Sequence, residues 1–183
     1  SALPAQTPGP QGAPGQRMVT TSDGGTLYLC HQGIQVWTNP AAGVEETPDF
    51  VLTPGGAPGF GNTAFCCWLD ETNDILYGSF DCAGGGVCSD SQIAGWRNAS
   101  QLSANRAPDF TCIVQAQRAA RAMTGGGNML FLDGGLDNII AIDNPSQRTG
   151  QIVGDRVITG VMQTAPDPPS MAYDDTRDML YVF

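Results

Sequence analysis

One pattern constrains this chain more than any other: it repeats itself at a period near fifty residues. An aliphatic-aromatic phrase occurs four times, with Tyr28 in GGTLYLC, Tyr77 in NDILYGSF, Phe131 in GNMLFLD and Tyr181 in RDMLYVF, spaced 49, 54 and 50 residues apart. A second phrase follows the first three occurrences (GIQVWTN, QIAGWRN, NIIAIDN), which sets Asn39, Asn98 and Asn144 in register. A third follows that (TPDFVL, APDFTCI, VGDRVITG), aligning Asp49, Asp109 and Asp155. From Asn to Asp the separation is 10, 11 and 11 residues. Three anchors that hold register together mark a structural unit repeated along the chain.

Each phrase reads as a short strand. LYL, IQVW, FVL and MLFL are β-branched or aromatic runs bounded by Gly, Asn, Asp and Pro. A further apolar run precedes each aromatic phrase: RMVT, AFCCWL, ARAM and SMAY. GGT, ETND, GGGN and DTRD join these runs to the next phrase, and Gly and Asn tolerate the positive φ of tight turns. QAQRAARAM (115–123) has high helix propensity, but the register assigns it to a loop followed by the first strand of the third unit. Four antiparallel strands per unit at this period describe a propeller blade. The expected fold is therefore all-β, with four-stranded β-propeller blades at 17–62, 63–119 and 120–169 and a partial blade at 170–183, about three and a half in all.

The phrases D-x-x-x-D-x-L-Y-V, I-x-V-x-x-N and A-P-D-x-x-I resemble the bacterial β-propeller repeats called YVTN or NHL-like, over about residues 17–183. The resemblance is at the level of the repeat. It implies a propeller scaffold of the kind used outside the cell or on its surface for ligand binding or assembly, with enzymes in the minority.

Composition excludes several functions. Gly and Pro together make 37 of 183 residues, which fits many turns. The net charge is −10, there is no Lys, and the eight Arg are scattered, so there is no basic footprint for nucleic acid. Without Lys there is no P-loop and no Schiff base. No run approaches the ~18 apolar residues of a membrane helix. His31 is the sole histidine, and no GxSxG, HExxH or CxxCH occurs. GFGNTA (59–64) matches GxGxxA in form but enters a strand, so it is not a dinucleotide site. The expectation is no enzyme and no cofactor. A lactonase-type hydrolase would need carboxylates and Asn converging at the inner-strand ends, where this sequence offers mainly Cys, Met, Ala and Arg.

Asp70, Glu71 and Asp74, with Asp174, Asp175 and Asp178, supply oxygens suited to Ca²⁺, but Asp at hairpin turns is ordinary turn chemistry, and the turn reading is preferred. Asn98-Ala99-Ser100 is a glycosylation sequon, while Asn39 and Asn144 precede Pro, so the shared Asn answers first to a turn.

Six cysteines fit an oxidising compartment. Cys82 and Cys88 flank a glycine-rich insertion between the second and third strands of the second blade, and a disulfide between them is expected. Cys30 is expected to meet Cys66 or Cys67 across a blade interface. Adjacent residues on a strand point to opposite faces, so only one of the two is available. Cys112 lies on the outermost strand of its blade, too far from Cys66 and Cys67 to bridge, and is read either as a buried thiol or as bonded to another chain.

Residues 1–16, SALPAQTPGPQGAPGQ, read as an extended arm or linker reaching roughly 50 Å in polyproline II geometry. The partial blade presents Met179, Leu180, Tyr181, Val182 and Phe183 at an open edge that invites a further strand. A standard propeller closes with four blades or more. Three ways of completing this one follow: the remainder of a longer chain, a homo-oligomer or filament of copies, or the N-terminal segment folding back. The expected function is a structural or binding module that self-assembles outside the cell through the arm and the open edge. The alternative is a piece of a larger secreted propeller with a ligand or protein at its central channel.

Overall fold

The computed structural model describes residues 18–40, 47–84, 88–135, 138–160 and 170–183. The 1–16 arm lies outside them.

Fifteen strands are present among the described residues. β1 (Met18–Thr20), β2 (Thr26–His31), β3 (Gly33–Thr38) and β4 (Phe50–Leu52) form one antiparallel sheet in sequence order. β5 (Phe60–Asp70), β6 (Ile75–Cys82), β7 (Asp90–Arg97) and β8 (Phe110–Gln115) form the second. The third holds β9 (Met123–Gly126), β10 (Met129–Gly135), β11 (Asn138–Asp143) and β13 (Arg156–Thr159); β14 (Met171–Asp174) and β15 (Met179–Val182) pair as a half sheet. The innermost strands β1, β5, β9 and β14 touch in succession, so the sheets fan around a common axis. No helix is long and apolar enough to cross a membrane among these residues.

The repeat register is physical. Val19, Trp68, Thr124 and Ala172 each stand opposite the repeated aromatic: Tyr28, Tyr77, Phe131 and Tyr181. Asn39, Asn98 and Asn144 all have φ between 50° and 56°, the left-handed region that Asn reaches at lower cost than other side chains. Each ends its third strand there. Asp49, Asp109 and Asp155, each just before the fourth strand, then staple the loop. Their carboxylates accept the N–H of Thr38, Arg97 and Asp143 at 2.6, 2.7 and 2.8 Å. Their own N–H groups donate to the carbonyls of Val36, Gly95 and Ala141 at 2.8, 2.8 and 2.9 Å. One polar pair thus holds the turn in every complete blade.

Two elements depart from the expected pattern. The first strand of the third blade is MTGG rather than ARAM, and the helix-prone stretch before it forms no helix. Ala119, Ala120 and Ala122 are instead buried between sheets, where their small side chains fill the core. The second departure is β12 (Gly150–Ile152). It arises in the third blade's loop yet pairs in parallel with β8 of the second, Gly150 opposite Cys112 and Ile152 opposite Val114.

The core is three layers of side chains between sheets. Tyr28, Ile34, Val36 and Leu52 meet Leu76, Phe80 and Trp96. Tyr77, Ile93 and Phe110 meet Met123, Leu130, Leu132 and Ile142. Phe131, Ile139 and Ala141 meet Met171, Tyr173, Leu180 and Val182. The second and third sheets therefore have one face toward the preceding blade and one toward the following blade, as the period-2 alternation of a strand allows.

Candidate functional site

The acidic turns come first, because their carboxylates are the oxygens suited to a cation. Asp70 accepts from the N–H and the side-chain amide of Asn73 at 3.0 and 2.8 Å, and Asp174 accepts from the N–H and guanidinium of Arg177 at 3.1 and 2.6 Å. Asp74 takes the N–H and hydroxyl of Ser100 at 2.7 and 2.8 Å, Glu71 takes the Ser22 N–H, and Asp178 takes the Tyr173 hydroxyl at 2.6 Å. These oxygens organise turns and join neighbouring blades. Among the described residues, no group of three or more His, Cys, Asp or Glu converges as metal ligands would.

Between the second and third blades, on the side of these turns, lies a polar cleft of about 300 Å³, and a wider one of about 440 Å³ separates the first and second. The Arg97 guanidinium stacks 5.2 Å from the Phe110 ring centroid and donates to the Ser146 carbonyl at 2.7 Å across the smaller cleft. Two of the staple aspartates are tuned by the groups they bind. The Thr38 hydroxyl and N–H hold the Asp49 carboxyl below the usual range, and the Asp143 N–H, followed by Arg148, does so for Asp155. Asn98 is exposed at the start of a single 3-10 turn, Ala99–Gln101, so the sequon's amide faces solvent.

The structure joins Cys82 to Cys88, with Cα atoms 5.6 Å apart. Of the two neighbours expected for Cys30, Cys66 and Cys67, the fold selects one, and no disulfide joins Cys30 to Cys66. The pleat of β5 turns Cys67 toward the first blade, into the core that holds Cys30, and sends Cys66 the other way. There the Cys66 thiol donates to the Ala120 carbonyl at 3.5 Å. Burial pushes the Cys66 thiol well above its ordinary range and Cys112 up to about 12. An acid whose folded pKa is raised stabilises the fold below its unfolded pKa, and that stability is lost above it. For Cys112 the window runs from 9.0 to about 12. Denaturant midpoints are therefore expected to hold up to about pH 9 and then to fall; a midpoint that stays level to pH 11 contradicts the burial of these thiols.

Sequence reasoning missed a buried ion pair. Asp133, fully buried, accepts from the Arg118 guanidinium at 2.8 Å and from the Gly135 N–H at 3.0 Å. The repeat carries no signal for it, because Arg118 lies 15 residues from Asp133 in an irregular loop.

The proposed assembly edge is the outer side of β15. Phe183 and Ser170 exchange both backbone hydrogen bonds, at 2.9 and 3.2 Å. In an antiparallel ladder the bonding pairs alternate, so the N–H groups of Leu180 and Val182 point outward, away from β14. Their side chains pack on the third blade, while Met179, Tyr181 and Phe183 are exposed.

No protein-family model matches the chain, and no curated protein sequence matches it. Solved structures do. A chain in the crystal structure of a mitotic checkpoint complex superposes with a TM-score of 0.53 at 9% identity, over 99% of this chain and 54% of that one. The fold is a β-propeller. Its described sheets are three complete blades, the second extended by β12, and a half blade. A chain in the crystal structure of a nidogen/laminin complex is more distant, with a TM-score of 0.47 at 12% identity over 90% of this chain and 49% of that one. This propeller chain spans about half the length of the solved structures it matches.

Proposed function

We propose that this chain is a non-enzymatic β-propeller binding module that self-assembles outside the cell by strand addition, with the half blade as acceptor and the 1–16 arm of a neighbouring copy as donor. The observation that carries this reading is the outward edge of β15, where the Leu180 and Val182 N–H groups point away from their own sheet. Such an edge is a template for another strand. The Cys82–Cys88 disulfide supports an oxidising compartment. An acidic surface with a net charge of −10 argues against nucleic acid and anionic membranes as partners.

Two variants of the 183-residue chain test it. Val182→Pro removes one outward donor and leaves the bonds to β14 intact, since Pro is tolerated on strand edges. Deletion of residues 1–16 removes the donor. Each is expected to abolish the self-associated species in sedimentation equilibrium. Assembly that survives both sinks strand addition as the mechanism.

A second reading is favoured by the coverage of the solved structures, which are about twice as long as the matched region. In it, this segment is part of a larger propeller that binds a small ligand or a protein at its central channel. The intact mass of the chain as isolated, denatured and unreduced, separates the two: near 19.2 kDa for self-assembly, clearly larger for a longer chain.

A further inference from the structure

The interfaces between the three complete blades repeat the same positions, and they differ at one cluster. Between the first and second blades the Tyr28 hydroxyl donates to the Ala99 carbonyl at 3.2 Å. There the Asp74 carboxylate also ties down the Ser100 N–H and hydroxyl, at 2.7 and 2.8 Å. One repeat later, counted from the aligned aromatics and asparagines, these positions carry Tyr77, Pro145, Asn128 and Ser146. The carboxylate has become an amide, and the Ser146 side chain meets the Tyr77 hydroxyl instead. Burial, and next the Asp70 charge, push the Tyr77 phenol up, so it stays protonated and able to donate. These groups line the smaller cleft, of about 300 Å³, between the second and third blades.

The protein itself holds the cleft's two charges in place. Asp70 is 5% exposed and accepts from the N–H and the side-chain amide of Asn73. Asn73 also reaches across to the Gly127 carbonyl at 2.8 Å, which joins the two walls. Arg97 is fixed by its stack on Phe110 and by the Ser146 carbonyl at 2.7 Å. Beside them stand the side-chain amides of Asn98, Asn128, Asn144 and Gln147, all exposed. An amide offers a donor and an acceptor side by side, and a hydroxyl group does the same. One carboxylate and one guanidinium leave the lining without net charge.

We infer that this cleft binds a neutral carbohydrate, one or two sugar rings in size. The sugar hydroxyls pair with the amides and with the Tyr77 and Ser146 hydroxyls, each group donating to one neighbour and accepting from another. The volume stands at the lower end of the roughly 300–1,000 Å³ of ligand pockets, which suits so small a unit. An anion is disfavoured by Asp70 and by the chain's net charge of −10. An apolar ligand would strip water from the amides without replacing their hydrogen bonds. The inference rests on the binding-module reading above, but it uses neither the β15 edge nor the arm.

Isothermal titration of the 183-residue chain tests it, with protein produced without N-glycosylation so that no glycan on Asn98 crowds the rim. Four neutral probes cover common ring stereochemistries: maltose, lactose, mannobiose and N,N′-diacetylchitobiose. At least one is expected to bind. Asn128→Ala and Gln147→Ala, both at exposed sites, are each expected to weaken that binding about tenfold or more. Glu71→Gln, in the wider cleft, is expected to leave it unchanged. Circular dichroism checks that all three variants are folded. The same sugar at the end of a glycopeptide identifies the source: tighter binding there assigns a glycan terminus, and tighter binding of the free disaccharide assigns a soluble sugar. No heat from any of the four probes overturns the inference, as does binding that both cleft variants leave at parental strength. Inorganic phosphate binding more tightly than every sugar also overturns it, in favour of an anion site at Arg97. If no probe binds while Val182→Pro and the arm deletion abolish assembly, self-assembly stands and this site falls. A sugar that binds while assembly survives both leaves the site and removes strand addition.

Discussion

Trp96→Ala is expected to destabilise the protein by about 3–5 kcal/mol, the range for removing a large aromatic from a core. That is a large share of the roughly 5–15 kcal/mol that holds a domain of this kind together. Trp96 is fully buried between the first two blades, its ring centroid 6.0 Å from that of Phe80, and its indole N–H donates to the Arg106 carbonyl at 3.0 Å. Truncation removes the hydrogen bond and leaves a cavity that the rigid sheets on either side cannot collapse to fill. Trp37 occupies the same repeat position on the open face, half-buried. Trp37→Ala is expected to cost under about 1 kcal/mol in dilute solution, as surface substitutions do. Guanidinium unfolding of the two variants side by side measures the difference. Equal losses would mean that the repeat position, and not the layer it faces, sets the energy.

Arg118→Ala is expected to cost about 3 kcal/mol, the lower end of the range for breaking a buried ion pair. The lower end applies because the arginine side chain is 25% exposed, whereas the Asp133 carboxylate is fully buried. Removing the guanidinium leaves that buried charge with the Gly135 N–H as a hydrogen-bond donor and no counter-ion across the pair. Replacing both members, Arg118→Met with Asp133→Leu, is expected to recover most of the loss, since well-packed apolar residues often match a buried ion pair. Urea midpoints of the two single variants and the double decide it. A loss below about 1 kcal/mol for Arg118→Ala would mean that the carboxylate is solvated or neutral in the folded protein.

Much of the fold was legible because the repeat marks what a blade requires locally. A left-handed residue must end the third strand, and Asn39, Asn98 and Asn144 announce it. An acceptor must tie the following loop, and Asp49, Asp109 and Asp155 supply it. Alternation along each strand separates the two faces, so Tyr28, Tyr77 and Phe131 fell into the core as a set. The helix-prone QAQRAARAM was read correctly as loop and strand, since helix propensity is weak beside the burial of Ala119, Ala120 and Ala122 between sheets. The start of that strand was read three residues early. The candidate site was less legible. The acidic turns and the β15 edge could be named, but Arg118–Asp133 and the polar clefts join segments whose spacing carries no repeat signal.

The sequence by itself determined the strands, their order, the turn residues and the repeated faces, because each of these follows from backbone preference and side-chain alternation within a few residues. Only the tertiary structure decided which neighbour each face meets. It sent Cys66 and Cys67 into different cores, placed β12 on the edge of the preceding blade, and buried Asp133 beside Arg118. These outcomes depend on how one sheet packs against the next, over distances that local sequence does not encode.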